Sequence, residues 1–222
     1  MKPKAIFLGA IGTVVDTSDL QRQAFNAAFE RAGLDWSWDW PVYEKLLAVV
    51  GGKNRIAAYA QERGQDVDVA ALHAAKSEIF QTRMRREGLS PRPGVAELIG
   101  SAKAQRIPLA WVTTTSRENI DAALDALGGK VSAHDFDLIV DRSMVNNPKP
   151  DPECYRLAMR ELNVSPGDVV AVEDTPESLQ AARRAGASCV AFPGAVPPGS
   201  TWDASDAIVE NVGHLLDEVL VE

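Results

Sequence analysis

Short apolar segments alternate with helix-like segments through the second half of this chain. Four apolar segments have the length and continuity of strands that are buried on both faces, at residues 107–112, 137–140, 168–172 and 188–192. Segments with helical spacing separate or flank them, near residues 94–105, 116–127, 151–163 and 175–185. This alternation predicts an α/β fold with a Rossmann-like parallel sheet and right-handed crossovers. Such sheets bind ligands at the carboxyl ends of their strands.

The first half of the chain follows a different pattern. One apolar strand is predicted over residues 4–8, and helices are predicted at about 18–32, 41–49, 53–63 and 68–86. The simplest architecture is a helical domain inserted after the first strand. We therefore predict a core domain of residues 1–16 and 90–222 and a helical cap domain of residues 17–89. A last helix is predicted near residues 211–220, on the flank of the sheet.

The composition is that of a soluble globular protein, with 222 residues, 45% hydrophobic and 24% charged. The net charge of -8 disfavours nucleic acid and anionic membranes as partners, because both attract clustered Lys and Arg. No apolar stretch approaches the roughly 20 residues that span a bilayer, so we expect a cytoplasmic protein. Cys154 and Cys189 are expected to be buried, reduced thiols. The tryptophans of the segment WSWDW, residues 36–40, are expected to pack the cap, with a ligand pocket as the alternative.

Polar residues suited to phosphate chemistry lie at the ends of the predicted strands. Thr113 and Thr114 leave a strand where a helix begins, and hydroxyls with free amides at such a place bind anions. Lys149 stands between two prolines and presents one compact cation. Glu173 and Asp174 are paired carboxylates, which suit Mg²⁺. Each feature also has a structural interpretation: an N-cap by Ser116 or Thr115 after the first of them, a solvated lysine in a proline-stiffened loop, and helix capping by Asp174.

A fourth segment, AIFLGAIGTVVDT at residues 5–17, adds a strand that runs into a phosphate-type turn. In this order the four segments resemble the four sequence motifs of the haloacid dehalogenase (HAD) superfamily. The resemblance is to the β-phosphoglucomutase branch, and more closely to CbbY-type phosphatases of xylulose-1,5-bisphosphate. It implies the HAD fold and covers most of the chain, almost to residue 193. The segments that carry it are LQRQAFNAAFERAGLDWSW, LLAVVGGKNRIAAYA, RPGVAELI, TTTSRENIDAAL, NPKPDPECY and VVAVEDTPESLQAARRAG.

The resemblance implies a role for each matching position around the transferred phosphoryl group. Thr113 would donate a hydrogen bond to that group, with the amide of Thr114 nearby, and Lys149 would neutralise it. Asp174 would hold Mg²⁺ with the support of Glu173.

The resemblance implies further roles for a backbone carbonyl and for the cap. The carbonyl of Ile11 would also ligate Mg²⁺. In the cap, Lys53 and Arg55 would reach a distal phosphate or sugar hydroxyls, although a polar start of a cap helix explains those two residues equally well.

Three positions depart from the family pattern. Gly9 stands where the family has its nucleophilic Asp, and Ile11 where it has the Asp that protonates the leaving group. Gln21 stands where related sequences often carry a histidine at the cap hinge. The covalent route is therefore unavailable, because glycine has no attacking oxygen and isoleucine has no proton to give. Loss of a nucleophile commonly lowers a rate by on the order of 10⁴–10⁶.

We therefore expect a protein that binds a small phosphorylated sugar but is catalytically impaired, a pseudo-phosphatase. Two alternatives remain open. One is an active Mg²⁺-dependent phosphatase or phosphomutase that uses an atypical nucleophile or a metal-activated water. The other is a non-enzymatic interaction protein with an unknown protein partner. Because two carboxylates of the usual site are missing, we also expect phosphate binding with little dependence on Mg²⁺, and weak or absent Mg²⁺ binding.

Overall fold

The structure is a computed structural model that describes residues 2–9 and 11–218. The strands are β1 (Ala5–Leu8), β2 (Leu109–Val112), β3 (Leu138–Val140), β4 (Val169–Glu173), β5 (Ser188–Ala191) and β6 (Ala207–Ile208). They form one sheet in the order β3-β2-β1-β4-β5-β6, and every neighbouring pair is parallel. The predicted parallel α/β fold is confirmed. The first strand lies at the centre of the sheet, between β2 and β4.

Helices cover both faces of the sheet and form the inserted cap. They are α1 (Ile11–Val14), α2 (Ser18–Arg31), α3 (Trp40–Leu46), α4 (Gly52–Glu62), α5 (Val69–Glu87), α6 (Val95–Ala104), α7 (Arg117–Ala126), α8 (Glu153–Glu161), α9 (Pro176–Ala185) and α10 (Leu215–Glu218). Single 3₁₀ turns lie at Ala133–Asp135, Arg142–Met144 and Pro166–Asp168. The last helix is shorter than predicted, and the end of the range predicted for it, residues 219–220, lies outside the described residues.

The alternation of side chains along β1 divides the core of the sheet domain into two layers. Ile6 and Leu8 point into one apolar cluster, which includes residues of α6, α7 and α10. Ala5 and Phe7 point into the other, which includes residues of α8 and α9. Because both faces of the strand are buried, its sequence is a continuous apolar run. Its carboxyl end lies at the edge of the sheet where the polar residues follow the strands.

The tryptophans of the cap pack its interior. Trp38 is fully buried, with ring centroids 4.7 Å from Phe25 and 4.8 Å from Phe29. Trp36 is also buried, and its ring lies edge-on to Phe29 at 5.1 Å. Trp40 is partly exposed. The prediction that this segment packs the cap therefore holds for Trp36 and Trp38.

Helix α5 joins the cap to the core. Its first half contributes Leu72 to the apolar cluster of the cap. Its second half contributes Phe80 and Met84 to the same cluster as Ile6 and Leu8 of the sheet. The division at residue 89 stays a prediction, and the apolar contacts pass from cap to core within α5 itself.

The returning chain is fastened to the core at Arg92. Its backbone N–H donates to the carbonyl of Val14 at 2.9 Å. Its guanidinium donates to the carbonyls of Gly12, Phe192 and Pro193, at 2.9, 2.9 and 2.7 Å. These bonds place the second crossing directly against α1 and the residues that follow β5. None of the helices in the described part of the chain is long and apolar enough to cross a membrane.

Candidate functional site

Three neighbouring strands bring the predicted site residues to one edge of the sheet. Gly9 follows β1, Thr113 follows β2, and Glu173 is the last residue of β4 with Asp174 directly after it. The loop between β3 and α8 carries Lys149 to the same place. The site therefore lies where parallel sheets bind ligands, at the carboxyl ends of the strands.

Lys149 is the buried cation of the site. Its ammonium donates to the carbonyl of Val112 at 2.9 Å, to the hydroxyl of Tyr155 at 3.2 Å and to Oε1 of Glu173 at 2.6 Å. The side chain of Lys149 is 5% exposed and that of Glu173 is fully buried. The interpretation of Lys149 as a solvated loop lysine is therefore wrong. A buried pair of this kind persists because each charge compensates the other.

Asp174 is a second buried carboxylate, next to the loop after β1. The hydroxyl of Thr13 donates to its Oδ1 at 2.9 Å. Burial raises the pKa of Asp174 above its ordinary value, while the Thr13 hydrogen bond and the nearby positive charges of Lys149 and Arg92 oppose that rise. The helix that follows is capped by Thr175, whose hydroxyl accepts from the N–H of Ser178. Helix capping is therefore done by Thr175 and not by Asp174.

Gly9, directly after β1, and Gly12, in the short helix α1, lie against these carboxylates. A Cβ atom added to Gly9 would overlap the carboxylate carbon and both oxygens of Glu173. A Cβ atom added to Gly12 would overlap Oδ2 of Asp174. The carboxylate of Glu173 thus fills the volume where any side chain at position 9 would begin.

Thr113 continues the sheet edge beside Lys149. Its N–H donates to the carbonyl of Val140 at 3.0 Å, and its buried hydroxyl accepts from the N–H of Thr115 at 3.1 Å. Thr114 is half-buried next to it. Ser116 is the residue that precedes α7, and its side chain makes no capping hydrogen bond. Thr113 adjoins Val112, whose carbonyl binds Lys149, so the two predicted residues lie close together.

Comparison with known proteins gives the family of this site. The family model of haloacid dehalogenase-like hydrolases matches residues 3–186. The chain belongs to this HAD-like hydrolase family. It is 39% identical over 215 residues to the protein CbbY of Cereibacter sphaeroides, which covers 96% of this chain and 94% of that protein.

Solved structures and other relatives give the same branch of the family. A CbbY variant from Rhodobacter sphaeroides, in complex with xylulose-(1,5)bisphosphate, matches with a TM-score of 0.87 and 38% identity over 96% of both chains. A phosphorylated carbohydrates phosphatase of Thermotoga maritima is 30% identical over 191 residues, 82% of each chain. This chain is therefore a phosphatase-like HAD protein related to CbbY.

HAD-like hydrolases generally use Mg²⁺, and the side chains of this chain fit that ion poorly. Glu173 is bound to Lys149, and Asp174 accepts from Thr13 with the charge of Arg92 nearby. The carbonyl of Ile11 is a further oxygen in the predicted ligand set. No three His, Cys, Asp or Glu side chains are grouped as metal ligands within residues 2–9 and 11–218. Mg²⁺ prefers a near-octahedral set of oxygens, so it would have to compete with these cations and donors.

The predicted cap residues of this HAD-like protein lie in different environments. The guanidinium of Arg55 is buried, donates to the carbonyls of Leu46 and Val49 at 2.9 and 3.3 Å, and lies 5.5 Å from the ring centroid of Tyr43. It therefore holds the loop before α4 in place. Lys53 is exposed in the first turn of α4. The contact of these two residues with a ligand stays a prediction.

A cavity of about 270 Å³ separates this part of the cap from the core. Its cap side includes Gly51 and Arg55, and its core side includes Glu177 of α9 and Ser200. Burial raises the pKa of Glu177, and nearby Lys149 opposes the rise. Thr175, which directly follows Asp174, also lines the cavity, so the cavity adjoins the carboxyl end of β4.

Sequence reasoning missed a buried cation in the cap. The ammonium of Lys76 lies 4.7 Å from the ring centroid of Phe25 and 4.6 Å from that of Phe80, and it donates to Oε1 of Gln21 at 3.2 Å. Burial and the charge of Arg55 lower its pKa to about 7. The signal was present in the spacing of residues 72, 76, 80 and 84, which places Lys76 on the buried face of α5.

Proposed function

We propose that this chain binds a small phosphorylated sugar and turns it over far more slowly than an intact enzyme of its family. The observation that carries this proposal is the state of position 9. Gly9 has no side chain, and the space beside it is filled by a carboxylate that is bound to a buried lysine. An attacking oxygen on residue 9 is therefore unavailable, and Ile11 has no proton for a leaving alcohol.

Support for phosphate binding comes from the groups that remain. Lys149 provides a cation, Thr113 a hydroxyl, and the segment that leads into α7 provides backbone amides. Support for a sugar comes from relatives. CbbY is described in complex with xylulose-(1,5)bisphosphate, and the Thermotoga protein is named for phosphorylated carbohydrates. The cavity of about 270 Å³ beside Arg55 and Glu177 would receive the far end of such a molecule.

The proposal includes weak dependence on Mg²⁺. Two carboxylates of the family's usual site are replaced by Gly9 and Ile11, so less negative charge opposes an incoming phosphate. Titration of inorganic phosphate by calorimetry, in EDTA and in Mg²⁺, tests this point. We expect binding in both buffers, and a weaker signal in Thr113→Val than in the control Ser165→Ala, which changes an exposed hydroxyl near the amino end of β4, at the opposite edge of the sheet. Phosphate binding that appears only with Mg²⁺ would refute this part of the proposal.

Turnover is tested with a panel of sugar phosphates and p-nitrophenyl phosphate. We expect negligible hydrolysis by the natural chain and measurable hydrolysis by the double variant Gly9→Asp/Ile11→Asp. In that variant the carboxylate of Glu173 has to leave the volume beside residue 9. Hydrolysis by the natural chain at the rate of an ordinary phosphatase, or a phospho-adduct isolated on one of its side chains, would overturn catalytic impairment.

A further inference from the structure

All the donors of Lys149 are already engaged. An ammonium has three N–H donors, and three acceptors are in place: the carbonyl of Val112, the hydroxyl of Tyr155 and Oε1 of Glu173. A phosphate oxygen can therefore bind this ammonium only if one of the three acceptors leaves. The carbonyl belongs to β2 and Tyr155 is fully buried in α8, so both are held by their elements. Glu173 is the one acceptor of the three that is itself an anion, so an incoming anion can replace it and keep the charge of Lys149 compensated.

Glu173 reaches Lys149 through space that a side chain at position 9 would occupy. A Cβ atom on residue 9 would overlap both oxygens and the carboxylate carbon of Glu173. The absence of that atom is therefore the condition for this position of the carboxylate. The contact of Lys149 with Glu173 is the shortest of its three, at 2.6 Å.

The pair also changes what an incoming anion meets. With Glu173 in place, the charge of Lys149 is compensated inside the protein, and a phosphate would approach a carboxylate at close range. Two negative charges in close contact repel each other strongly in a buried site. Phosphate binding must therefore include the displacement of Glu173 from the ammonium.

We propose that Glu173 is an internal competitor of phosphate: its carboxylate, admitted by Gly9, occupies Lys149 and keeps the site closed until a phosphate displaces it. This inference rests on the proposed phosphate binding and states how that binding is regulated. Phosphate affinity of the natural chain is then set by the exchange of one anion for another on Lys149.

Two variants remove the competitor in different ways. Glu173→Gln removes the charge and leaves the shape. Gly9→Ala leaves the carboxylate and fills its space, and alanine fits the backbone there because Gly9 does not have a positive φ. Gly100→Ala is the control, since a Cβ atom at Gly100 meets nothing within 4 Å. Calorimetric titration with inorganic phosphate in EDTA measures Kd for each chain.

We expect Kd for phosphate to fall at least about tenfold in both Glu173→Gln and Gly9→Ala, because a charge-assisted hydrogen bond is released to the ligand. Gly100→Ala should match the natural chain. We also expect phosphate to raise the Tm of Glu173→Gln more than that of the natural chain, since phosphate replaces the lost counter-charge of Lys149. If one of the two variants fails to fold, the other decides the result.

The outcomes separate this inference from the function on which it rests. Phosphate binding by the natural chain with unchanged or weaker binding by the folded variants overturns the competition and leaves the proposed function standing. No phosphate binding by any of the chains overturns both. Tighter binding by the variants supports both.

Discussion

Lys76 is a buried cation whose neighbours are mostly apolar. Aromatic faces of Phe25 and Phe80 lie against its ammonium, and the amide oxygen of Gln21 accepts from it. The pKa of His73, on the same helix, is also lowered, by burial and by the charges of Lys76 and Lys53. Because folding lowers the pKa values of Lys76 and His73, the free energy of unfolding depends on pH through these two groups.

We predict that Lys76→Met stabilises the protein most at low pH. The folded pKa of Lys76 is about 7 against an ordinary 10.5, so between these values the unfolded chain holds a proton that the folded chain has lost. The contribution of Lys76 to the free energy of unfolding therefore rises with pH in that window and is flat below it. Urea denaturation at pH 6 should show the variant about 2–4 kcal/mol more stable, and the difference should shrink towards pH 10.

The control for this prediction is Lys45→Met, which changes an exposed lysine of the cap. Its free energy of unfolding should follow that of the natural chain across the same pH range. An advantage of Lys76→Met that is the same at pH 6 and pH 9.5 would contradict the low pKa.

At the scale of residues, the sequence indicated which site residues lie close together, but it did not reveal the hydrogen bonds and the ion pair between them. Thr113, Lys149, Glu173 and Asp174 were predicted at one edge of the sheet, because each follows or ends a predicted strand or leads into a helix. The ion pair of Lys149 with Glu173 was not predictable from the sequence. It depends on the absence of a side chain at Gly9, which follows β1, and Glu173 ends the neighbouring strand β4. Their roles towards a ligand stay predictions.

The starts of helices could be predicted from the sequence, because a capping residue lies directly before the helix that it caps. Asp68 precedes α5, and its carboxylate accepts from the N–H of Ala71 at 2.9 Å. The predicted range of 68–86 became Val69–Glu87. Helix α1 and strand β6 were missed, because four residues and two residues are too short to show a period.

We predict that Asp68→Ala lowers the free energy of unfolding by about 1 kcal/mol, because a backbone N–H at the start of α5 loses its acceptor. Asp68→Asn should retain most of the stability, since its amide oxygen accepts the same bond. The matched control is Asp66→Ala, two residues earlier on the exposed surface, with a change within about 0.5 kcal/mol. Equal effects of Asp68→Ala and Asp66→Ala in urea denaturation would exclude the cap.

At the scale of the whole molecule, cap and core share one helix. The first half of α5 packs in the cap, and Phe80 and Met84 in its second half pack with the sheet domain. Gln81 also donates to Asn119 of α7 at 2.9 Å. The predicted boundary near residue 89 stays a prediction, and a change from strands to helices in the sequence does not reveal that one helix contributes to both apolar clusters.

We predict that cap and core unfold together and that Met84→Ala destabilises both. Met84 is fully buried, and removal of such a side chain costs about 2–5 kcal/mol. Tryptophan fluorescence follows Trp36 and Trp38 in the cap as well as Trp111 in β2, while far-UV circular dichroism follows all helices. The two transitions should coincide in the natural chain and in Met84→Ala, at a lower midpoint in the variant.

Met144→Ala, at an exposed methionine of the core, is the control and should leave the midpoint nearly unchanged. Two separate transitions, the first of which loses only part of the helical signal in circular dichroism, would show instead that the cap unfolds independently.

The shared helix has a consequence for which molecules gain entry. A wide swing of the cap would pull Phe80 and Met84 out of the sheet domain, and Arg92 is tied to three carbonyls at the returning crossing. A ligand therefore has to fit the cavity of about 270 Å³ beside α9 with the cap near its present position, and on the proposed function this favours a small sugar phosphate over a phosphorylated side chain of a folded protein.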